Sequence, residues 1–184
     1  MKILLINNNT VHMNSLGKAL AGHEVEVQTY RPGINFNDTD KDLVILSGGG
    51  GEGLEVNDIQ PTGQLWHQDE MSYVQSTDKP VIGICMGFQV IARSFGAPVT
   101  PIGKLVQGHS PVQVSKKGRL IVSKNSLTQF ESHRWRVENV PSEFEILATS
   151  KYGVEMFRYK NLLATQFHPE KGGSLSLAKL IRAI

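Results

Sequence analysis

Short apolar runs alternate with helically spaced apolar positions along the first half of the chain. Residues 2–6 form a near-continuous apolar stretch, the pattern of a strand buried on both faces. Met13, Leu16 and Leu20 then recur at helical spacing, with Gly22 as a stop. Glu24–Thr29 alternates valine with polar residues and predicts a second strand. Leu43–Leu46 predicts a short buried strand that runs straight into Ser47-Gly48-Gly49-Gly50-Gly51. Helix-forming residues fill 62–75, and Val81–Ile84 reads as a fourth strand. Phe88, Ile91, Ala92 and Phe95 then fall at i, i+3, i+4 and i+7 of a helix.

The second half is patterned differently. Residues 112–114, 120–122, 145–148, 154–159 and 162–167 read as short strands separated by turn residues. Ser174 is the expected N-cap of a last helix whose Leu177, Leu180, Ile181 and Ile184 share one face. That face suits core packing better than membrane contact. Strand–helix alternation predicts an α/β fold: an open, mostly parallel sheet flanked by helices, with antiparallel strands added late in the chain. A length of 184 residues, 40% of them hydrophobic, suits one domain over 1–184.

Charge narrows the function classes. Nineteen Lys and Arg against 17 Asp and Glu leave a formal net charge of +2, too little to hold a polyanion by bulk attraction. Lys116-Lys117-Gly118-Arg119 reads as a solvated hairpin tip, so no nucleic-acid partner is expected. No apolar run approaches the ~20 residues that span a bilayer, and the start MKILLINNN turns polar too early for a signal peptide. A lone cysteine, Cys85, fits a reducing compartment. The expectation is a cytoplasmic protein with no membrane partner. His12, His23, His67 and His109 read as surface or turn residues. With no histidine pair at i, i+4 and no carboxylate cluster at ligand spacing, neither a metal nor a cofactor is expected.

The candidate chemistry starts at Gly83-Ile84-Cys85-Met86-Gly87, where a buried strand turns directly into a helix. This is the thiol form of a nucleophile elbow. Glycine two residues either side of the nucleophile lets neighbouring backbone pack closely at a strained turn. The helix N-terminus aimed at the sulfur favours thiolate over thiol. The Met86 N–H would supply half of an oxyanion hole. A thiolate nucleophile needs a base, and His168 is followed by Pro169 and Glu170. In extended geometry, positions 168 and 170 share a face, so the carboxylate can fix the imidazole tautomer. The glycine run after Leu46 brings backbone N–H groups close to a ligand, and the better reading is a second oxyanion donor.

Leu46-Ser-Gly-Gly, Gly83-Ile-Cys-Met-Gly-Phe-Gln89 and Gln166-Phe-His-Pro-Glu170, in that order, resemble the class I (triad-type) glutamine amidotransferases. The resemblance runs along essentially the whole chain. It implies that Cys85 attacks the side-chain amide of glutamine, with His168 and Glu170 completing a triad. It implies an oxyanion hole from the amides of Gly49 and Met86, a glutamine-holding role for Gln89, and substrate contacts from the backbone around Ser132 and His133. It also implies a partner, a separate synthase subunit that receives the ammonia and gates the glutaminase. Ile184 follows the last helix directly, which leaves no acceptor domain on the expected chain.

Three departures accompany the resemblance. Met86 and Phe88 fill variable places of the elbow, and Gly50 stands where many relatives carry proline. Glu131-Ser-His-Arg-Trp-Arg136 resembles the Ser-His-x-Asp-x-Val segment of guanylate synthetase amidotransferases, but Trp135 takes the Asp place. Trp135 between Arg134 and Arg136 suits either a partner-docking patch or a solvated loop. Guanylate synthesis is the first expectation for the acceptor pathway. A stand-alone γ-glutamyl amide or peptide hydrolase and a non-catalytic binding module are the alternatives.

Overall fold

The computed structural model describes residues 1–49 and 55–184. Its parallel strands follow the apolar runs of the sequence closely. β1 (Lys2–Asn7) belongs to a parallel set, with β2 (Glu24–Thr29) on one side and β3 (Leu43–Leu46), β4 (Val81–Ile84) and β9 (Leu162–Thr165) on the other. β3, β4 and β9 are buried at every position, as expected of strands covered on both faces. β2 is the outer strand and alternates in exposure, which explains its polar residues.

Beyond β9 the sheet turns antiparallel through β8 (Gly153–Tyr159), β7 (Glu145–Ser150), β5 (Val99–Val114) and β6 (Ser126–Val137). Among the described residues this gives one nine-stranded sheet, ordered β2-β1-β3-β4-β9-β8-β7-β5-β6. Helices α1 (Met13–Ala19), α2 (Gln68–Ser76), α3 (Met86–Ser94) and α5 (Leu177–Ile181) flank it. The core divides into two apolar layers, one on each face. Leu5, Ile45, Ile84 and Phe167 belong to one, and Leu4, Leu46, Phe88 and Phe157 to the other.

Several expected elements are moved or replaced. Residues 120–122 are not a strand but part of the one-turn helix α4 (Arg119–Val122). A three-residue apolar run carries no usable period, and the Ser115 hydroxyl accepts from Gly118 N–H at 3.1 Å, bending the chain into a turn. Residues 112–114 are the end of a 16-residue strand, which Pro101, Gly103, Gly108 and Pro111 hide in the sequence. The stretch 131–136 is no loop but the second half of β6, paired with β5. α2 starts at Gln68, since residues 60–63 are spent on a turn closed by Gly63 N–H to the Gln60 carbonyl. Ser176, not Ser174, occupies the N-cap of α5, because Ser174 is bonded through its backbone and hydroxyl to Thr128 on β6.

Candidate active site

The C-terminal ends of β3, β4 and β9 are adjacent, and each delivers one part of the site. Open parallel sheets bind ligands at this edge. β4 is followed directly by Cys85, the N-cap of α3, whose backbone sits at φ 51° and ψ −99°. A non-glycine residue held there costs on the order of 1–3 kcal/mol. The surrounding packing enforces it. A Cβ on Gly83 would lie 2.8 Å from the Gly87 carbonyl, and one on Gly87 would strike the backbone of Leu46. The elbow glycines are therefore needed for close approach, as the sequence suggests. Met86 opens α3, and the first-turn amides of a helix have no acceptor within it.

His168 and Glu170 meet by a different route from the one expected. β9 ends at Thr165, and Pro169–Lys171 forms a single 3₁₀ turn, so the two residues do not lie on an extended strand. The turn, started by proline at its first position, places Glu170 Oε1 2.8 Å from His168 Nδ1. Both side chains are almost fully buried. Burial opposes a charge on the ring, but the neighbouring Cys85 sulfur and the Glu170 carboxylate outweigh it. The His168 pKa is pushed up to about 10.

β3 is followed by Ser47, Gly48 and Gly49. A Cβ on Gly48 would lie 3.0 Å from His168 Cε1 and 3.4 Å from Cys85 Cβ, so the loop passes over the other two elements. Gly50 and Gly51 lie outside the described residues. A cavity of about 380 Å³ opens at this meeting point. Gly49, Cys85, Met86, Gln89, Ser132 and His133, all selected from sequence, line it. Ser132 and His133 arrive on a strand, not on a loop: the Ser132 carbonyl oxygen is 3.7 Å from Cys85 Sγ. Gln89 is buried, and its amide nitrogen donates to Gln166 Oε1 at 3.1 Å.

Other residues at the site carry no role expected from sequence. Gln166 donates through Nε2 toward Cys85 Sγ at 3.7 Å, linking Gln89 to the sulfur. Its place two residues before His168 is the available signal. His12 is not a plain surface residue: its ring stands edge-on to His168 with centroids 4.7 Å apart, and it lines the cavity. Burial first, and the charge of His168 second, lower its proton affinity. Glu55, Arg134 and Trp135 line the outer wall, so Trp135 belongs to the cleft rather than to a solvated loop. His67 is not exposed either; it is buried against Glu70, with Nδ1 2.7 Å from Oε2. The fold also brings Glu131, His133 and Glu155 together, a carboxylate cluster that no local spacing announces.

A family profile, glutamine amidotransferase class-I, matches residues 4–183. The chain belongs to that family. It is 26% identical over 182 residues to a subunit of the glutamine-hydrolysing GMP synthase of Methanobrevibacter smithii, covering 92% of this chain and 87% of that one. It is 34% identical over 135 residues to anthranilate synthase component 2 of Thermococcus kodakarensis, covering 71% and 66%. The crystal structure of a GMP synthase subunit protein from Thermoplasma acidophilum superposes with a TM-score of 0.74 at 26% identity, over 92% of this chain and 84% of that one. Against the GMP synthase of Campylobacter lari, 38% identical over 98 residues, the match takes in 50% of this chain and 19% of the relative. The chain thus matches about a fifth of such longer relatives. No helix among the described residues is long and apolar enough to cross a membrane.

Proposed function

We propose that this amidotransferase hydrolyses the side-chain amide of glutamine to glutamate and ammonia, using Cys85, His168 and Glu170. The observation that carries the reading is the buried line from Glu170 Oε1 through His168 to the cysteine held at the strained elbow. A histidine with so high a pKa is an imidazolium at neutral pH, which pairs with a Cys85 thiolate. The thiolate attacks the amide carbon, and the oxyanion forms against the Gly49 and Met86 amides. Collapse of this intermediate breaks the C–N bond, and His168 gives its proton to the departing ammonia. Water then attacks the γ-glutamyl thioester, passing a proton to His168. The C–S bond breaks, glutamate leaves, and the thiolate–imidazolium pair is restored.

The ammonia is passed to a separate synthase, and guanylate formation is the acceptor reaction we assign. Likeness to the GMP synthase subunits of Methanobrevibacter smithii and Thermoplasma acidophilum, over 87% and 84% of their lengths, supports that assignment. Gln89 and the backbone of Ser132 and His133 hold the glutamine.

The test is glutamate release from glutamine by the purified chain and by Cys85→Ser, each with and without the guanylate-forming synthase of its source. Release that needs Cys85 and rises with the synthase is expected. Cys85-dependent release that the synthase leaves unchanged would instead identify a stand-alone γ-glutamyl hydrolase. No release in either state, with Cys85 ignoring an electrophilic glutamine analogue, would sink the glutamine site.

A further inference from the structure

The segment Glu131–Arg136 is only partly absorbed by the site above. Glu131 points from β6 into the protein and is fully buried, and Glu155 on β8 is nearly so. One polar atom from each of Glu131, His133 and Glu155, a carboxylate oxygen or a ring nitrogen, lies within 4.8 Å of the other two. His133 Nδ1 is 2.8 Å from the Trp135 carbonyl, which can only accept, so that nitrogen carries a hydrogen. Its Nε2 is 3.1 Å from Glu131 Oε2. Glu155 Oε1 accepts from the Ser150 hydroxyl at 2.6 Å. That leaves Glu131 Oε1 and Glu155 Oε2, both buried, with no donor among the described residues. Among those residues, neither carboxylate has a Lys or Arg in an ion pair.

Two carboxylates cannot both ionise in such a place without severe repulsion in a low dielectric. A single proton between the two unpartnered oxygens satisfies both atoms; the contact from Glu131 Oε2 to His133 Nε2 needs a hydrogen of its own, because Nδ1 already carries the one that a neutral ring has. Burial first, then the charge of Glu131, raises the pKa of Glu155 well above the usual carboxylate range, which makes Glu155 the donor.

We propose that Glu131 and Glu155 share this proton, and that the pair, acting through His133, is a positioning device for the glutamine site. His133 is pinned between Glu131 and the Trp135 carbonyl. The backbone on either side of it meets the chemistry: the Ser132 carbonyl lies against Cys85 Sγ, and the Trp135 carbonyl lies 3.5 Å from Gln89 Nε2. Fixing the ring fixes the strand edge that glutamine meets. This positioning role rests on the glutaminase reading; the shared proton does not.

Two readouts separate the two. The infrared spectrum of wild-type protein at neutral pH should contain the carbonyl stretch of a protonated carboxyl that is missing from Glu155→Gln. Absence of that difference overturns the shared proton, whether or not glutamine is hydrolysed. Metal-free protein is also titrated with Zn²⁺ and with Ca²⁺. Thermal stabilisation lost in Glu155→Gln would reveal a cation between the carboxylates and overturn the proposal equally.

For positioning, Glu131→Ala and Glu155→Ala should raise the KM for glutamine about tenfold, the loss expected when a buried partner is removed. Alkylation of Cys85 by iodoacetamide should change far less than KM, because the reagent needs no glutamine-binding edge and the His168–Glu170 contact is kept. Glu155→Gln keeps a donor and should recover most of the KM change. Folded alanine variants with unchanged KM overturn the positioning role. Should wild type hydrolyse no glutamine, the half-saturating concentration of an electrophilic glutamine analogue at Cys85 replaces KM. An analogue that ignores Cys85 overturns the positioning role with the glutaminase reading and leaves the infrared result standing.

Discussion

Gly87 packs on the backbone of Leu46 so closely that a methyl group added to it would sit 2.9 Å from the Leu46 carbonyl carbon and nearer still to the oxygen. Gly87 N–H also donates to the Ser47 carbonyl, at 3.2 Å. These contacts seat the start of α3 on the end of β3. The sulfur and the Gly48–Gly49 segment are thereby brought to the same point of the sheet edge.

Gly87→Ala follows as the sharpest structural test. The neighbour it meets is backbone of a central strand, which cannot swing aside as a side chain can. Overpacking of this kind costs about 1–3 kcal/mol. Urea denaturation should show that loss, with residual folded protein hydrolysing glutamine poorly because the elbow is displaced. A wild-type midpoint would mean that α3 can shift without consequence.

His168 provides a pH prediction. Its pKa stands at about 10 against an ordinary 6.5, with burial opposing and Cys85 contributing most to the rise. Its contribution to folding stability is therefore complete below about pH 6.5 and declines as pH rises toward 10. Replacing Cys85 by serine removes the sulfur's charge, so the His168 pKa should fall and this decline should flatten. Imidazole proton resonances followed through a pH titration measure the first. Denaturation at several pH values measures the second. A His168 that titrates near its ordinary value in the wild type contradicts the charged pair.

Glu170→Gln should weaken the same proton. The amide keeps the shape of the carboxylate but not its charge, so the imidazolium loses a buried counter-ion 2.8 Å away. We expect kcat for glutamine hydrolysis to fall about 100-fold or more, the scale of impaired acid–base catalysis, while KM changes little. Initial rates of glutamate release across substrate concentrations decide it. A KM defect with normal kcat would reassign Glu170 to substrate binding.

The sequence is most readable where the chemistry is local. Gly83, Cys85 and Gly87 lie within five residues, and the backbone that clashes with any side chain there follows directly from a strand turning into a helix. His168 and Glu170 are readable as a pair although their geometry is not, since a 3₁₀ turn brings them as close as a strand would. Glu131 and Glu155 sit on β6 and β8, strands far apart in the chain and separated by β7 and β5 in the sheet order, so neither local spacing nor strand pairing announces their meeting. His67 is hidden in part by distance along the chain: Glu70 lies three residues on, but the Tyr30 ring stacked on it comes from the loop after β2. Leu120–Val122 misleads through shortness, where strand and helix look alike.

Glu70 carries the last prediction. It is fully buried, with one oxygen accepting from Asn8 Nδ2 at 3.0 Å and the other 2.7 Å from His67 Nδ1. Asn8 in turn donates its side chain to the Ser47 carbonyl and its backbone N–H to the Ser47 hydroxyl, at 3.3 and 2.9 Å. The carboxylate therefore braces the first residue after β3, two positions before Gly49. Glu70→Ala leaves Asn8 and His67 with unpaired polar atoms, at a cost of about 1–3 kcal/mol each in a buried setting. An oxyanion donor acts on the transition state more than on bound substrate. A loosened Ser47–Gly49 segment should therefore lower kcat and leave KM near its wild-type value. Glu70→Gln, which still offers an acceptor to Asn8 or His67, should recover part of both losses. Equal damage to kcat and to KM would show that Glu70 supports the fold at large, not the oxyanion loop.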